Sequence, residues 1–389
     1  MEYSILTPDE RTIRGAARRL AKSEIAPRSA AYDETGAFPR ENLKLLAEQG
    51  YFGLTVPPEY GGAGASSLAQ ALVVEALAEV CPATAVIYEV HNTLHVEGIW
   101  RYGTEWQRRT WLPALIRGEW IGAFALTEPG VGSNAAEVRT VGRRVPGGYR
   151  ISGHKAFITS AGEAERYLVV GRLEGTSGRD GMTIWVVDKS NPGVTFGRAE
   201  RKLGLHASRT SEIHLDDVFV PETHRLGAEG EGYRIALDLL DGGRIGIAAQ
   251  ACGMLAAALA RSARYARVRR QFGQPLERFE AIRFKLADMV RDLHAARLLT
   301  YEAARRRDEG GSVRPLAAAA KLFASEAAVR HALQAVQIHG GYGYLREAGV
   351  ERLLRDAKAT EIYEGTSEIM RLILAGEVVR AEAEGQLEG

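Results

Sequence analysis

The chain has 389 residues, enough for two or three domains, and 46% are hydrophobic, ample for a core. Fifty Lys and Arg face 49 Asp and Glu, and the net charge of +1 removes the electrostatic case for nucleic acid or an acidic membrane surface. The two cysteines, Cys81 and Cys252, lie far apart and outside any CxxC, which excludes a disulfide framework and a thiolate metal centre.

The chain opens on Met-Glu-Tyr-Ser, with neither a basic n-region nor a long apolar run. No signal peptide and no membrane-spanning segment are expected, and the expected compartment is the cytoplasm. Thr7-Pro8-Asp9-Glu10 reads as a helix start, with proline in the first turn and acids suiting the dipole. Ile13, Ala16, Ala17, Leu20 and Ala21 then fall on one helical face. Further helices are predicted from Pro39 to Gln49, from Ser66 to Val80, from Val86 to Tyr102 and from Thr104 to Arg117. The Ser66 helix is apolar all round and so belongs in the interior.

The pattern changes near Ile121. From there to about Val220 the segments are short and rich in β-branched and aromatic residues. Turn residues separate them, as at Pro146-Gly147-Gly148 and Asn191-Pro192-Gly193. Met182 to Val187 and Glu212 to Leu215 are strand candidates, and the spacing predicts an antiparallel β domain, sandwich or barrel. From about Gly232, long Ala/Leu-rich segments (Tyr233 to Arg267, Phe279 to Asp308, Pro315 to Ile338) predict an antiparallel helical bundle. The division is therefore a helical domain at 1–120, a β domain at 121–230 and a helical bundle at 231–389. No βαβ alternation occurs, which argues against a doubly wound nucleotide fold.

Six stretches carry chemistry. Ala125-Leu-Thr-Glu-Pro-Gly-Val-Gly-Ser133 forces a tight turn that offers donors to an anion or a heteroaromatic edge, or is an ordinary Gly-rich surface loop. Lys155-Ala-Phe-Ile-Thr159 presents an aromatic and a hydroxyl, or simply packs as a strand. Asp241-Gly-Gly-Arg244 puts two glycines inside a helix, at about 1 kcal/mol each relative to Ala. That suits a close approach, with Arg244 pairing a phosphate, or a plain helix crossing. Arg269-Arg-Gln-Phe-Gly273 suits a pyrophosphate and a covered ring, or complements a helix C-terminus. Gln337-Ile-His-Gly-Gly-Tyr-Gly343 lacks the preceding strand and glycine spacing of a dinucleotide fingerprint, and reads as a helix cap and turn. Glu364, directly before Gly365 in Glu361-Ile-Tyr-Glu-Gly-Thr-Ser-Glu-Ile369, is a carboxylate able to act as a base if it faces an apolar pocket. His91 and His95 sit four apart, but Asn92 replaces the Glu of HExxH and no third ligand is evident, so no metal site is expected.

Together these motifs resemble the acyl-CoA dehydrogenase family, most closely its short-chain members. The resemblance covers nearly the whole chain and rests on ALTEPGVGS, KAFITS, LDGGRIGIAAQ, RRQFG with QIHGG, and IYEGTSEI, in that order. It implies an N-terminal helical domain, a central antiparallel β domain and a C-terminal four-helix bundle, assembled as a homotetramer (a dimer of dimers) with one FAD per subunit. It implies that Glu364 removes the α-proton of an acyl-CoA thioester, that the β-hydrogen leaves as hydride to the flavin, and that a trans-2-enoyl-CoA forms. Electrons would pass to an electron-transfer flavoprotein. Phe124, Leu126, Thr127, Ser133, Phe157, Ile158 and Thr159 would hold the flavin. Arg269, Gln271, Phe272, Gln337, Gly340 and Gly341 would reach FAD from a neighbouring subunit, and Thr366 and Glu368 would also contact it. Ser133, Asp241, Arg244 and Gly365 would line the CoA and thioester site.

Asn134, Glu280 and His339 depart from the family pattern. Gly243 leaves empty the helical position where long-chain and isovaleryl-type members carry their base. Alternatives within the fold are an oxidase and a dehydrogenase of carrier-protein-bound acyl groups; a flavin-free binding scaffold is the alternative of another class.

Overall fold

The computed structural model describes residues 5–385. The Met-Glu-Tyr-Ser opening lies outside the described residues, as does the end of the Glu/Gly-rich tail. The first helices are α1 (Pro8–Leu20), α2 (Ser29–Thr35), α3 (Arg40–Glu48), α4 (Ser67–Ala78), α5 (Pro82–Glu89), α6 (Glu97–Tyr102) and α7 (Glu105–Ile116). Thr7 starts α1 with a reciprocal cap: its hydroxyl accepts the Glu10 N–H, and the Glu10 carboxylate accepts the Thr7 N–H. Such a cap is worth about 1 kcal/mol. Every residue of α4 from Leu68 onward is buried, as its all-round apolarity predicts.

Between α5 and α6 the helix widens to π geometry over Val90–Val96. This segment lies against β1 (Gly122–Ala125), and His91 and His95 hold it there. His91 Nδ1 accepts the Gly122 N–H at 3.0 Å, and His95 Nδ1 donates to the Ala123 carbonyl at 2.9 Å. Burial lowers both imidazoles, to about 3 and about 4, so both are neutral at physiological pH. Only glycine fits at 122, since a Cβ there would lie 2.2 Å from the His95 ring.

The remaining strands are β2 (Val141–Val145), β3 (Gly148–Thr159), β4 (Arg166–Leu173), β5 (Met182–Asp188), β6 (Val194–Phe196), β7 (Thr210–Pro221) and β8 (Arg225–Leu226). The sheet order is β6-β7-β3-β2-β4-β5-β8. Most pairs are antiparallel, but β1 and β2 both run parallel to β4 and follow each other along its edge. Lys155 is fully buried in β3 and donates to Glu128 at 2.8 Å and to the Leu126 carbonyl at 2.9 Å. Burial lowers the Lys155 ammonium to about 8. Burial also works to raise Glu128, but Lys155, Thr140 and the Arg139 N–H outweigh it and hold Glu128 low. The pair anchors the turn that carries Thr127 and Ser133. Lys155→Met should therefore cost about 3–5 kcal/mol, because it strands a buried carboxylate. Chemical denaturation would check this; an unchanged midpoint would contradict it.

The C-terminal helices are α8 (Gly232–Val268), α9 (Glu280–Asp308), α10 (Arg314–His339), α11 (Glu351–Thr360) and α12 (Ser367–Ala383). A small hairpin, β9 (Arg270–Gln271) and β10 (Gln274–Pro275), follows α8. By length and composition α8 is apolar enough to cross a membrane, which the sequence reading did not register. However, 83% of its apolar window is buried against the rest of the fold. It packs on α4, α9 and α10, and its hydrophobicity goes to the core.

Candidate active site

Glu364 stands at the end of the turn between α11 and α12. Its φ is +53° and that of Gly365 is +103°. A non-glycine residue rarely adopts that region, and such strain concentrates at functional sites. Phe157 (+57°) and Phe272 (+49°) share this unusual backbone. Thr366 caps α12 by accepting the Ile369 N–H, which fixes where the turn ends. The turn is held by two buried cations. Arg244 Nε donates to the Glu364 carbonyl at 3.3 Å, and Lys321 Nζ donates to the Gly365 carbonyl at 2.6 Å. The Tyr363 hydroxyl donates to Gln250 on α8.

The Glu364 carboxyl points at α8, where Gly243 makes room for it. A Cβ at 243 would lie 2.1 Å from Glu364 Oε2. Both carboxyl oxygens are buried, and neither receives a protein N–H or hydroxyl. Burial is the main cause that raises Glu364, to about 7; Glu89, Arg244 and Lys321 pull it back down. Glu89, on α5, is itself raised well above the carboxylate range, by burial first and by the Glu364 charge second. Two buried carboxyls so close do not both ionise, and Glu89 keeps its proton. A carboxyl poised near neutrality, shielded from water and bonded to no N–H, is equipped to take a proton from carbon.

The structure gathers the remaining expected residues into two groups. Phe124 is buried on β1, with Leu126 and Thr127 half-buried just beyond it. The Thr127 carbonyl accepts the Ala156 N–H at 2.9 Å, which joins that turn to the strand carrying Phe157, Ile158 and Thr159. Phe157 is 67% exposed. Ile158 points the other way, into the core, and Thr159 is half-buried. Ser133 and Asn134 are exposed on the turn, where Asn134 Nδ2 donates to Glu137. Asp241 and Arg244 are buried and paired at 2.5 Å, with Arg314 also on Asp241 at 3.2 Å. Arg244 is thus engaged by Asp241 and the Glu364 backbone.

The second group surrounds a cleft of about 690 Å³ lined by Tyr265, Arg269, Gln271, Gly340, Gly341 and Tyr342, among others. Phe272 beside it is 91% exposed, and Gln337 is exposed on α10. His339 fits its unusual place by stacking on Tyr265, with ring centroids 4.3 Å apart. Glu280 and Glu368 are exposed. None of the residues lining this cleft belongs to the Glu364 group.

Sequence reasoning did not find Glu89, Gly246, Gln250 or Lys321. Lys321 had a signal: it is the one cation directly after Ala317-Ala-Ala-Ala320 in an apolar helix.

A buried carboxyl raised toward neutrality stands in the turn before α12, and exposed aromatics stand at Phe157 and Phe272. Models of the acyl-CoA dehydrogenase N-terminal, middle and C-terminal domains match residues 7–119, 123–218 and 230–379 in turn. An acyl-CoA dehydrogenase of Bacillus subtilis (strain 168) is 44% identical over 95% of this chain and 98% of its own length. The solved butyryl-CoA dehydrogenase of Megasphaera elsdenii superposes with a TM-score of 0.95 at 39% identity, covering 98% of this chain and 100% of that one. A chain in a solved structure of the electron transferring flavoprotein of Acidaminococcus fermentans is 38% identical over 98% of this chain and 100% of its own, with a TM-score of 0.95. The chain belongs to the acyl-CoA dehydrogenase family and is a flavin-dependent oxidoreductase.

Solved relatives hold FAD or its reduced form, and FAD is the cofactor here. The residues present fit such a group. Phe157 and Phe272 expose large apolar faces that a flat ring system would cover, and Gly340 and Gly341 leave their backbone open, with no atom within 4 Å of a Cβ at either.

Proposed function

We propose that the chain dehydrogenates a short acyl-CoA thioester between Cα and Cβ, with Glu364 as the base that takes the α-proton and a trans-2-enoyl-CoA as product. The observation that carries this is the Glu364 carboxyl: buried, raised toward neutrality, and seated against Gly243. Bound FAD supplies the acceptor for the β-hydrogen. The chain's residues do the rest. Arg244 and Lys321 hold the carbonyls of Glu364 and Gly365 and fix the turn, and the Glu364 N–H would meet the thioester carbonyl and stabilise its enolate-like charge. Thr127, Ser133, Phe157 and Thr159 would hold the cofactor, and Thr366 and Glu368 would also contact it.

Flavin reduction by substrate should rise with pH through about 7, because the base works only when deprotonated. Rapid-mixing rates from pH 5.5 to 8.5 check the sign; a rate that falls over that range would count against Glu364 as base.

We further propose that Arg269, Gln271, Phe272, Gln337, Gly340 and Gly341 complete the FAD site of a neighbouring copy in a homotetramer. The separation of their cleft from the Glu364 group and the 91% exposure of Phe272 support this. Phe272→Ala should release FAD on dilution while the fold persists, as seen by sedimentation monitored at the flavin absorbance. A monomer holding one FAD per chain would defeat the idea. Electrons would leave to an electron-transferring flavoprotein, which the similarity to the Acidaminococcus chain favours. Substrate-reduced enzyme should therefore react slowly with O₂, and fast reoxidation would instead mark an oxidase.

A further inference from the structure

His154, on β3, and His214, on β7, stand directly opposite each other where the two strands pair antiparallel. Glu212 precedes His214 by two residues and so lies on the same face of β7. That is the outer face of the sheet: Lys155 and Ile213, the next pair along, are buried. The two imidazole rings stack, with centroids 4.2 Å apart and planes 29° from parallel. Both Nε2 atoms approach one carboxylate oxygen, Glu212 Oε2, at 3.3 Å from His154 and 3.5 Å from His214. One ligating atom from each residue lies within 4.8 Å of the other two. His154 is far from the other two in sequence, and only the strand pairing unites them.

Hydrogen bonding does not account for this cluster. His154 Nε2 is buried and, although close to Glu212, makes no hydrogen bond. Among the described residues no Lys or Arg pairs with Glu212, whose close cationic neighbours are the two imidazoles. The spacing does match a metal centre. Zinc takes imidazole nitrogen and carboxylate oxygen at about 2.0–2.2 Å, and a tetrahedral arrangement then sets the ligand atoms about 3.3 Å apart. Both nitrogen-to-oxygen distances already meet that value. Bringing the two nitrogens together needs only rotation of half-buried side chains. Two imidazoles and one carboxylate suit zinc, whereas calcium and magnesium take oxygen ligands.

We propose that His154, Glu212 and His214 bind one zinc ion on the outer face of the β sheet, with the fourth position left to water. The ion pins β7 to β3 from the solvent side. Its place bears on the strand that presents Phe157. His154 lies three residues before Phe157, and the β3–β7 register shifts between Lys155 and Ile158. A clamp at 154 holds the strand where it enters that irregularity, at which Phe157 takes a φ of +57°. The three ligands share no residue with the Glu364 group, so the proposal does not depend on the dehydrogenase reading.

Equilibrium dialysis of the FAD-loaded enzyme against zinc chloride, after stripping with a chelator, tests it. The wild type should retain one zinc per chain more than the His154→Gln/His214→Gln double variant. His154→Gln, His214→Gln and Glu212→Gln should each weaken binding by at least about tenfold, since losing even an outer contact to a zinc ligand costs that much. Zinc should raise the melting temperature of the wild type and leave that of the double variant unmoved. Without zinc the two should melt alike, which separates a lost ligand from a damaged fold. Anomalous diffraction from zinc-soaked crystals should place the ion between His154, Glu212 and His214. A wild type that retains no zinc would overturn the proposal. So would a double variant that binds zinc as tightly as the wild type, or an ion found only at other residues.

Discussion

Glu364→Gln should keep FAD and bind acyl-CoA, yet lose about 10⁴-fold in flavin reduction, the upper end of what a positioned general base contributes. The amide has the shape of the carboxyl but cannot take a proton. The surrounding contacts do not depend on the charge. Arg244 and Lys321 hold backbone carbonyls of the turn, not the carboxyl, so the loop stays in place. No backbone N–H or cation is left stranded, because neither Glu364 oxygen accepts one, and the Glu89 carboxyl can still donate to the amide oxygen. The change is therefore confined to the chemistry. Substrate titration under anaerobic conditions would show binding without bleaching; ordinary turnover would remove Glu364 from the mechanism.

Gly243→Ala should be the next most damaging substitution. A methyl at 243 would sit 2.1 Å from Glu364 Oε2, far inside contact distance. The carboxyl has to move by more than an ångström, and a displacement of that size costs about 10²-fold in rate. Stability should move little, since alanine favours the helix by about 1 kcal/mol over glycine and offsets part of the clash. Rate and Tm should thus separate, with a large loss in flavin reduction beside a near-constant melting temperature. A normal rate would mean that Glu364 does not use this slot.

Much of the fold was legible because its helices carry their own signals. The predicted Ser66 to Val80, Tyr233 to Arg267, Phe279 to Asp308 and Pro315 to Ile338 segments match α4, α8, α9 and α10 to within a few residues. Long apolar runs with few breakers suffice for that. The short α2 and the amphipathic α11 were not read, since α2 has only seven residues and α11 follows a glycine-rich turn. The parallel pairing of β1 and β2 with β4 was also hidden. Local alternation shows that a strand exists but not which distant strand it joins.

The site divides along the same line. Glu364 and the glycines at 243 and 365 could be singled out from local sequence. Glu89 could not, because it is one carboxyl in a helix buried on all sides, and its meaning comes from Glu364, 275 positions later. Arg244 was noticed for its charge, and the structure adds its ion pair with Asp241, three residues away and one helical turn off.

The most direct test of the account is anaerobic rapid mixing of the FAD-loaded enzyme with short acyl-CoA bearing either hydrogen or deuterium at Cα. The account predicts flavin bleaching that slows markedly with deuterium in the wild type and is nearly absent in Glu364→Gln. Bleaching that is indifferent to the α-deuterium, or that persists in Glu364→Gln, would contradict it.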